Sequence, residues 1–158
     1  MNNSGDHSIT ADYSLRAAVI TDLPMIYRGE LSYMREFEPA SEPAWTRALD
    51  RNLEMWVTNI DRAAIIEIDG LPLGYYLWMD DGGKAVLATI HVLPTWRGRG
   101  LGTILLMSFI SQAHSGGFGT LTLGVHRKNP AQHMYSHAGF TQTHSDADYL
   151  FYSLSGLS

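Results

Sequence analysis

Residues 91–109, HVLPTWRGRGLGTILLMSF, decide how this chain is read. An apolar segment runs into them and a second apolar segment runs out, with Gly98, Gly100 and Gly102 alternating with Arg99 and Leu101 at the junction. Glycine adopts positive φ without steric cost and lets another group approach the backbone closely. Successive N–H groups at such a turn converge on one concavity, and the positive end of a starting helix reinforces it. The stretch therefore suits an anion, phosphate or pyrophosphate above all, with Arg97 and Arg99 at the rim. A tight turn carrying solvated arginines is the plainer reading of the same residues.

Two nucleotide-binding patterns fail on spacing. A triphosphate loop needs Gly, four residues, then Gly-Lys-Ser/Thr, and no lysine stands here. A dinucleotide loop needs Gly-x-Gly-x-x-Gly; counted from Gly98 or Gly100, the third glycine falls on Thr103 or Leu105.

The rest of the chain sets the frame. Its 158 residues, 45% hydrophobic and 17% charged, fit one folded domain rather than a disordered chain. A net charge of −5 argues against broad nucleic-acid binding, which draws on a basic face, and agrees with a small cationic partner. The absence of cysteine rules out disulfides, thiolate metal sites and a cysteine nucleophile, and fits a cytoplasmic protein. No apolar run approaches the roughly 18 residues of a membrane span, so no membrane is expected. The polar residues 1–11 are expected to form a flexible tail ahead of a single domain, 12–158. His133 and His137 stand four apart without a HExxH motif, so surface or capping roles are expected and no metal.

Periodicity and turn residues place a strand at 13–19 and a helix from Asp22, its expected N-cap, to about Phe37. A second helix is expected over 44–60, with Trp45, Leu49, Leu53 and Trp56 near helical spacing. AAIIEI, LGYYLWM and AVLATIHV read as strands joined at Asp69-Gly70 and at DDGG. A helix over 102–114, a strand over 119–125, a short helix ended by Gly139 and a closing hairpin complete the chain. Strands and helices mix without strict alternation, which favours an α+β fold with a mixed, mostly antiparallel sheet flanked by helices.

One spacing does fit the glycine stretch: Arg-x-x-Gly-x-Gly at Arg97, Gly100 and Gly102, preceded by VLP. It resembles the acyl-CoA loop of the GNAT superfamily of N-acetyltransferases. Downstream, A-x-x-M-Y-x-x-x-G-F from Ala131 to Phe140 resembles that family's helix after the fifth strand, and the order of elements agrees from Tyr13 onward. The resemblance implies parallel fourth and fifth strands that splay apart to admit the pantetheine arm of acetyl-CoA. It implies that Ile90, His91 and Val92 offer backbone groups to that arm. Residues 98–103 (Gly98, Arg99, Gly100, Leu101, Gly102, Thr103) would bind the pyrophosphate. Asn129 lies near the family's cofactor-contacting asparagine, one residue closer to the tyrosine than usual, with Lys128 in the usual place. Tyr135 matches the tyrosine that faces the cofactor sulfur and can protonate it as it leaves.

The resemblance thus implies direct acetyl transfer from acetyl-CoA to a primary amine of a small molecule or peptide. A homodimer is the default expectation, since dimers are common in the family. The base is less evident. Family bases map to the fourth strand, where alternation puts Val86, Ala88 and Ile90 on one face and Leu87, Thr89 and His91 on the other. His91 is titratable but on the less suitable face; a water relay or an acid from the first two helices is an equal alternative. For the acceptor, Tyr33, Glu36 and Asp80 stand out, because aromatics mixed with carboxylates suit an alkylammonium. A catalytically silent acyl-CoA-binding or regulatory module is the rival reading, with the glycine loop intact and no base.

Overall fold

A computed structural model describes residues 12–156; the expected tail, 1–11, lies outside them. Strands β1 (Tyr13–Ala17), β2 (Ala63–Ile68), β3 (Leu71–Asp81), β4 (Lys84–Val92), β5 (Thr120–His126), β6 (Thr141–Asp146) and β7 (Tyr149–Ser155) form one sheet. Their order is β1-β2-β3-β4-β5-β7-β6. Every neighbouring pair is antiparallel except β4 and β5. The helices are α1 (Leu23–Phe37), α2 (Glu42–Arg47), α3 (Leu49–Thr58), α4 (Leu101–Ser115) and α5 (Gln132–His137). This is the mixed α+β architecture expected. No helix among the described residues is long and apolar enough to cross a membrane.

The sheet buries both faces. On one, Leu105, Leu106, Phe109 and Ala113 of α4 pack on Ile66, Leu73, Tyr76, Trp78 and Leu87. On the other, Ile26 and Trp56 from α1 and α3 pack on Ile65, Tyr75 and Leu77. Consecutive residues of β2 and β3 thus serve opposite cores, which is why these strands read as apolar runs.

Two expectations need correction. The helix expected over 44–60 is two helices, broken at Ala48 (φ −96°, ψ 9°). The break lets Trp45 stack on Tyr27 at 5.9 Å while Trp56 enters the core at 2% exposure. Asp22 does not cap α1 with its side chain. It turns back instead, accepting from the Val19 N–H at 2.8 Å and from both terminal nitrogens of Arg16 at 2.8 Å.

Strand β4 carries the irregularity that shapes the molecule. Leu77 of β3 faces Thr89, but the next residue, Trp78, faces Leu87, so Ala88 is an inserted bulge residue. The expected alternation therefore breaks. Ala85, Leu87, Ile90 and Val92 belong to the α4 core, whereas Ala88, Thr89 and His91 face the side of α1. The β4–β5 pairing also stops early: only residues 85–87 pair with 121–123. Beyond that point the two strands fork.

The position of β4 depends on Gly74. A Cβ there would lie 2.6 Å from the His91 carbonyl oxygen and 3.2 Å from the Val92 Cα, both main-chain atoms that cannot swing aside. Gly74→Ala is expected to destabilise the fold by about 1–3 kcal/mol. Thermal unfolding should show a melting temperature lower by roughly 2–4 °C for each kcal/mol.

Candidate active site

A cleft of about 430 Å³ opens where β4 and β5 fork. Ile90, His91 and Val92 form one wall and Asn129, Ala131 and Met134 the other, with the glycine loop as floor. Tyr33 and Phe37 of α1 close one side, their rings 5.3 Å apart. Ten of the eleven residues expected to hold the cofactor line this cleft; Arg99 does not.

The glycine loop has the geometry its spacing demanded. Gly98 (φ +76°) and Gly100 (φ +85°) are left-handed, and a Cβ added to either would meet nothing within 4 Å. These residues are thus required by backbone conformation, and they border open space rather than packed protein. The first main-chain bond of α4 runs from the Ile104 N–H to the Gly100 carbonyl at 3.2 Å. No acceptor among the described residues takes the N–H groups of residues 98–103. Gly102 serves packing: its Cβ would lie 3.1 Å from Met134 Sδ, so α4 and α5 approach closely there.

The arginines behave differently from expectation. Arg97 lines the cleft, but its Nη1 donates to both oxygens of Glu36 at 2.9 and 2.8 Å and its Nε to the Val92 carbonyl at 3.1 Å. Glu36, expected at the acceptor site, is the partner of Arg97 and ties α1 to the loop. Arg99 lies over Trp96, 4.5 Å from the ring centre. Asn129 uses its side-chain oxygen to accept from the Ala131 N–H at 2.9 Å, fixing the entry to α5. Asp80 is not brought to the site at all. It accepts from the Gly83 N–H at 2.9 Å in the β3–β4 turn, at the opposite end of β4 from the cleft.

Among the titratable candidates, His91 is 5% exposed, its ring 5.6 Å from Tyr75 and its Nε2 buried without a partner among the described residues. Burial, then the charge of Arg97, pushes its pKa down to about 4 against the opposing pull of Glu36. Such an imidazole is neutral at pH 7 and holds a proton poorly, which weakens it as a base. Tyr135 is 4% exposed and packs 6.2 Å from both Phe140 and Tyr152; the α5 side of the cleft wall is Met134. Burial pushes its hydroxyl well above the usual phenol range, so it stays protonated. The Tyr33 hydroxyl is likewise pushed up, by burial and then by Glu38.

One group escaped the sequence reading. Glu30 sits one helical turn before Tyr33 and two before Phe37, on the face of α1 turned to the sheet. Its Oε2 accepts from the hydroxyls of Tyr75 and Thr89, each at 2.7 Å. Burial raises its pKa, and the two donors oppose that shift. The only sequence signal was its spacing with Tyr33 and Phe37.

His91 generates an acid sensitivity. Its folded pKa is about 4, below the 6.5 of a free imidazole. Between those values the unfolded chain binds more protons, so stability is present above pH 6.5 and declines toward pH 4. His91→Phe, which keeps a ring against Tyr75, is expected to flatten that decline when melting temperature is followed from pH 7 to 4.

A family model described as Acetyltransferase (GNAT) family matches residues 30–140. The [ribosomal protein bS18]-alanine N-acetyltransferase of Haemophilus influenzae is 39% identical over 59 residues, a match covering 37% of this chain and 40% of that protein. The PaiA N-acetyltransferase of Thermoplasma acidophilum, solved with coenzyme A, superposes with a TM-score of 0.76 at 18% identity, covering 91% of this chain and 99% of that one. The ribosomal-protein-S18-alanine N-acetyltransferase of Escherichia coli gives a TM-score of 0.68 at 21% identity, covering 90% and 93%. The two superpositions speak to the fold, and the family match spans most of the chain, including the loop, the fork and Tyr135. The chain belongs to the GNAT acetyltransferase family.

Proposed function

We propose that this protein acetylates a primary amine of a small molecule or peptide, with acetyl-CoA as donor. The observation that carries the reading is the row of main-chain N–H groups at residues 98–103 without acceptors among the described residues, beside open space at Gly98 and Gly100. A diphosphate fits such a cradle, because oriented amides and a helix N-terminus bind anions without a resident counter-ion. The adjoining cleft, about 430 Å³, runs from Gly98, Gly100 and Thr103 of the loop to Ile90, His91 and Val92 at the fork, where a pantetheine arm would lie. Ile90 to Val92, unpaired with β5, retain main-chain groups on that side of the fork.

When bound, acetyl-CoA supplies a thioester that an amine can attack directly. The loop amides hold its diphosphate, and the fork positions the reacting end. Such positioning supplies a large part of the acceleration. Tyr135, kept protonated by burial, holds its proton on Oη for the departing sulfur. Tyr33 and Phe37 give the acceptor an aromatic wall suited to an alkylammonium. The H. influenzae relative is named for alanine of a ribosomal protein, so an alanine-bearing peptide belongs among the amines tried.

Calorimetry should detect acetyl-CoA binding and no comparable binding of ATP or NAD. Free thiol should appear when polyamines, amino acids, aminoglycosides and peptides are offered. Binding without turnover on any amine would favour the silent module. Gly100→Val is expected to weaken CoA binding by about tenfold or more, since the loss of one charge-assisted hydrogen bond accounts for that much. Tyr135→Phe should lower kcat by about 100-fold with CoA affinity retained. Equal kcat would remove this tyrosine from the mechanism.

A further inference from the structure

We propose that Glu30, held over the β4 bulge by Tyr75 and Thr89, is the proton acceptor for the incoming amine. The proposal rests on the acetyl-transfer reading above and deepens it. The bulge at Ala88 rotates Thr89 onto the α1 side of the sheet, where its hydroxyl meets Glu30 Oε2 at 2.7 Å. Tyr75 reaches the same oxygen at 2.7 Å and also lies 3.2 Å from the Ile26 carbonyl, so its hydroxyl is fixed between helix and sheet. Oε2 is therefore a structural anchor. Oε1 takes no hydrogen bond from any described residue, and Glu30 retains some exposure.

A carboxylate with one oxygen anchored and the other free is positioned to receive a proton. Its neighbours on β4 are Thr89, whose backbone directly precedes the Ile90–His91–Val92 wall, and His91 on the same side of the strand. From β3 comes Tyr75, and from its own helix Tyr33, whose hydroxyl also senses Glu38 and Tyr149. The Tyr149 hydroxyl donates to Glu38. The cation of the cleft, Arg97, faces His91 and Phe37 and is paired with Glu36, while Tyr33 senses the negative groups Glu30 and Glu38. Burial moves the Glu30 carboxyl toward neutral pH, the direction that makes it a better base.

The ammonium passes one proton to Glu30 Oε1, and the freed nitrogen lone pair forms the C–N bond to the acetyl carbon. The C–S bond breaks with its electron pair on sulfur, which takes the Tyr135 hydroxyl proton. The second nitrogen proton restores that hydroxyl. The products are the N-acetyl amide and the CoA thiol, and Glu30 returns its proton to water.

Glu30→Gln preserves the acceptor for Tyr75 and Thr89 and removes only the basicity. It should lower kcat about 100-fold, leave CoA affinity by calorimetry unchanged, and abolish the acidic limb of the kcat/KM pH profile. Thr89→Val, which withdraws one donor from the carboxylate, should move that limb to higher pH. Carbon-13 NMR of the side-chain carboxyls, with Glu30 assigned by difference against Glu30→Gln, should show the same upward displacement in Thr89→Val without any substrate present. An active wild type together with a Glu30→Gln variant of equal kcat and unchanged pH profile overturns the assignment of Glu30 alone. A wild type that binds no acetyl-CoA overturns the acetyl-transfer reading itself.

Discussion

The fork between β4 and β5 is the constraint on which the site depends. Parallel pairing holds for three residue pairs and then stops. An uninterrupted pairing would satisfy the main-chain groups of residues 88–92 within the sheet and leave no opening. The Ala88 bulge prevents this by shifting the strand by one position and adding twist. The chain tolerates the lost ladder because α4 covers Ile90 and Val92 from one side while Tyr75 and α1 cover His91 and Thr89 from the other. Opening the cleft and turning Thr89 toward Glu30 are thus two consequences of one inserted residue.

A second link joins the loop to α1. Arg97 bridges the Val92 carbonyl and Glu36 and lies 6.0 Å from the Phe37 ring. Both ionic partners are more than a third exposed, so the pair adds little stability, on the order of 0–1 kcal/mol. Its effect is positional: it fixes the end of α1 relative to the loop, and with it Tyr33 and Phe37 at the cleft. An arginine that reads in sequence as a ligand for phosphate serves here as a brace.

The parts legible in the sequence were those dictated by backbone demands. Gly98 and Gly100 were readable because left-handed turns beside open space tolerate little else, and the Asp69-Gly70 hairpin was readable for the same kind of reason. Strands β2 to β4 followed from apolar runs bounded by turn residues. The bulge was not legible, since an extra alanine in an apolar strand leaves the composition of that strand unchanged. Every face assignment on β4 beyond Ala88 shifted with it. Long-range polar partners were also hidden. Arg97 and Glu36 are 61 positions apart, and Glu30 meets Thr89 across 59, so nothing local distinguishes them from solvated charges. Asp80 illustrates the converse: it stands beside a glycine turn and simply accepts from it.

Burial acts on Tyr135 and Glu30 in the same direction. Desolvation disfavours the charged form of an acid whether the acid is a phenol or a carboxyl. It raises the Tyr135 hydroxyl, which keeps its proton, and it raises the Glu30 carboxyl, the direction of a stronger base. The difference lies in the partners. No acceptor or donor offsets the shift of Tyr135, whereas Tyr75 and Thr89 temper that of Glu30. Without those two hydroxyls the carboxyl would be drawn further toward its neutral form. Tyr75 and Thr89 therefore hold back the shift that burial imposes on Glu30, a balance that requires α1, β3 and the bulged β4 to be in place.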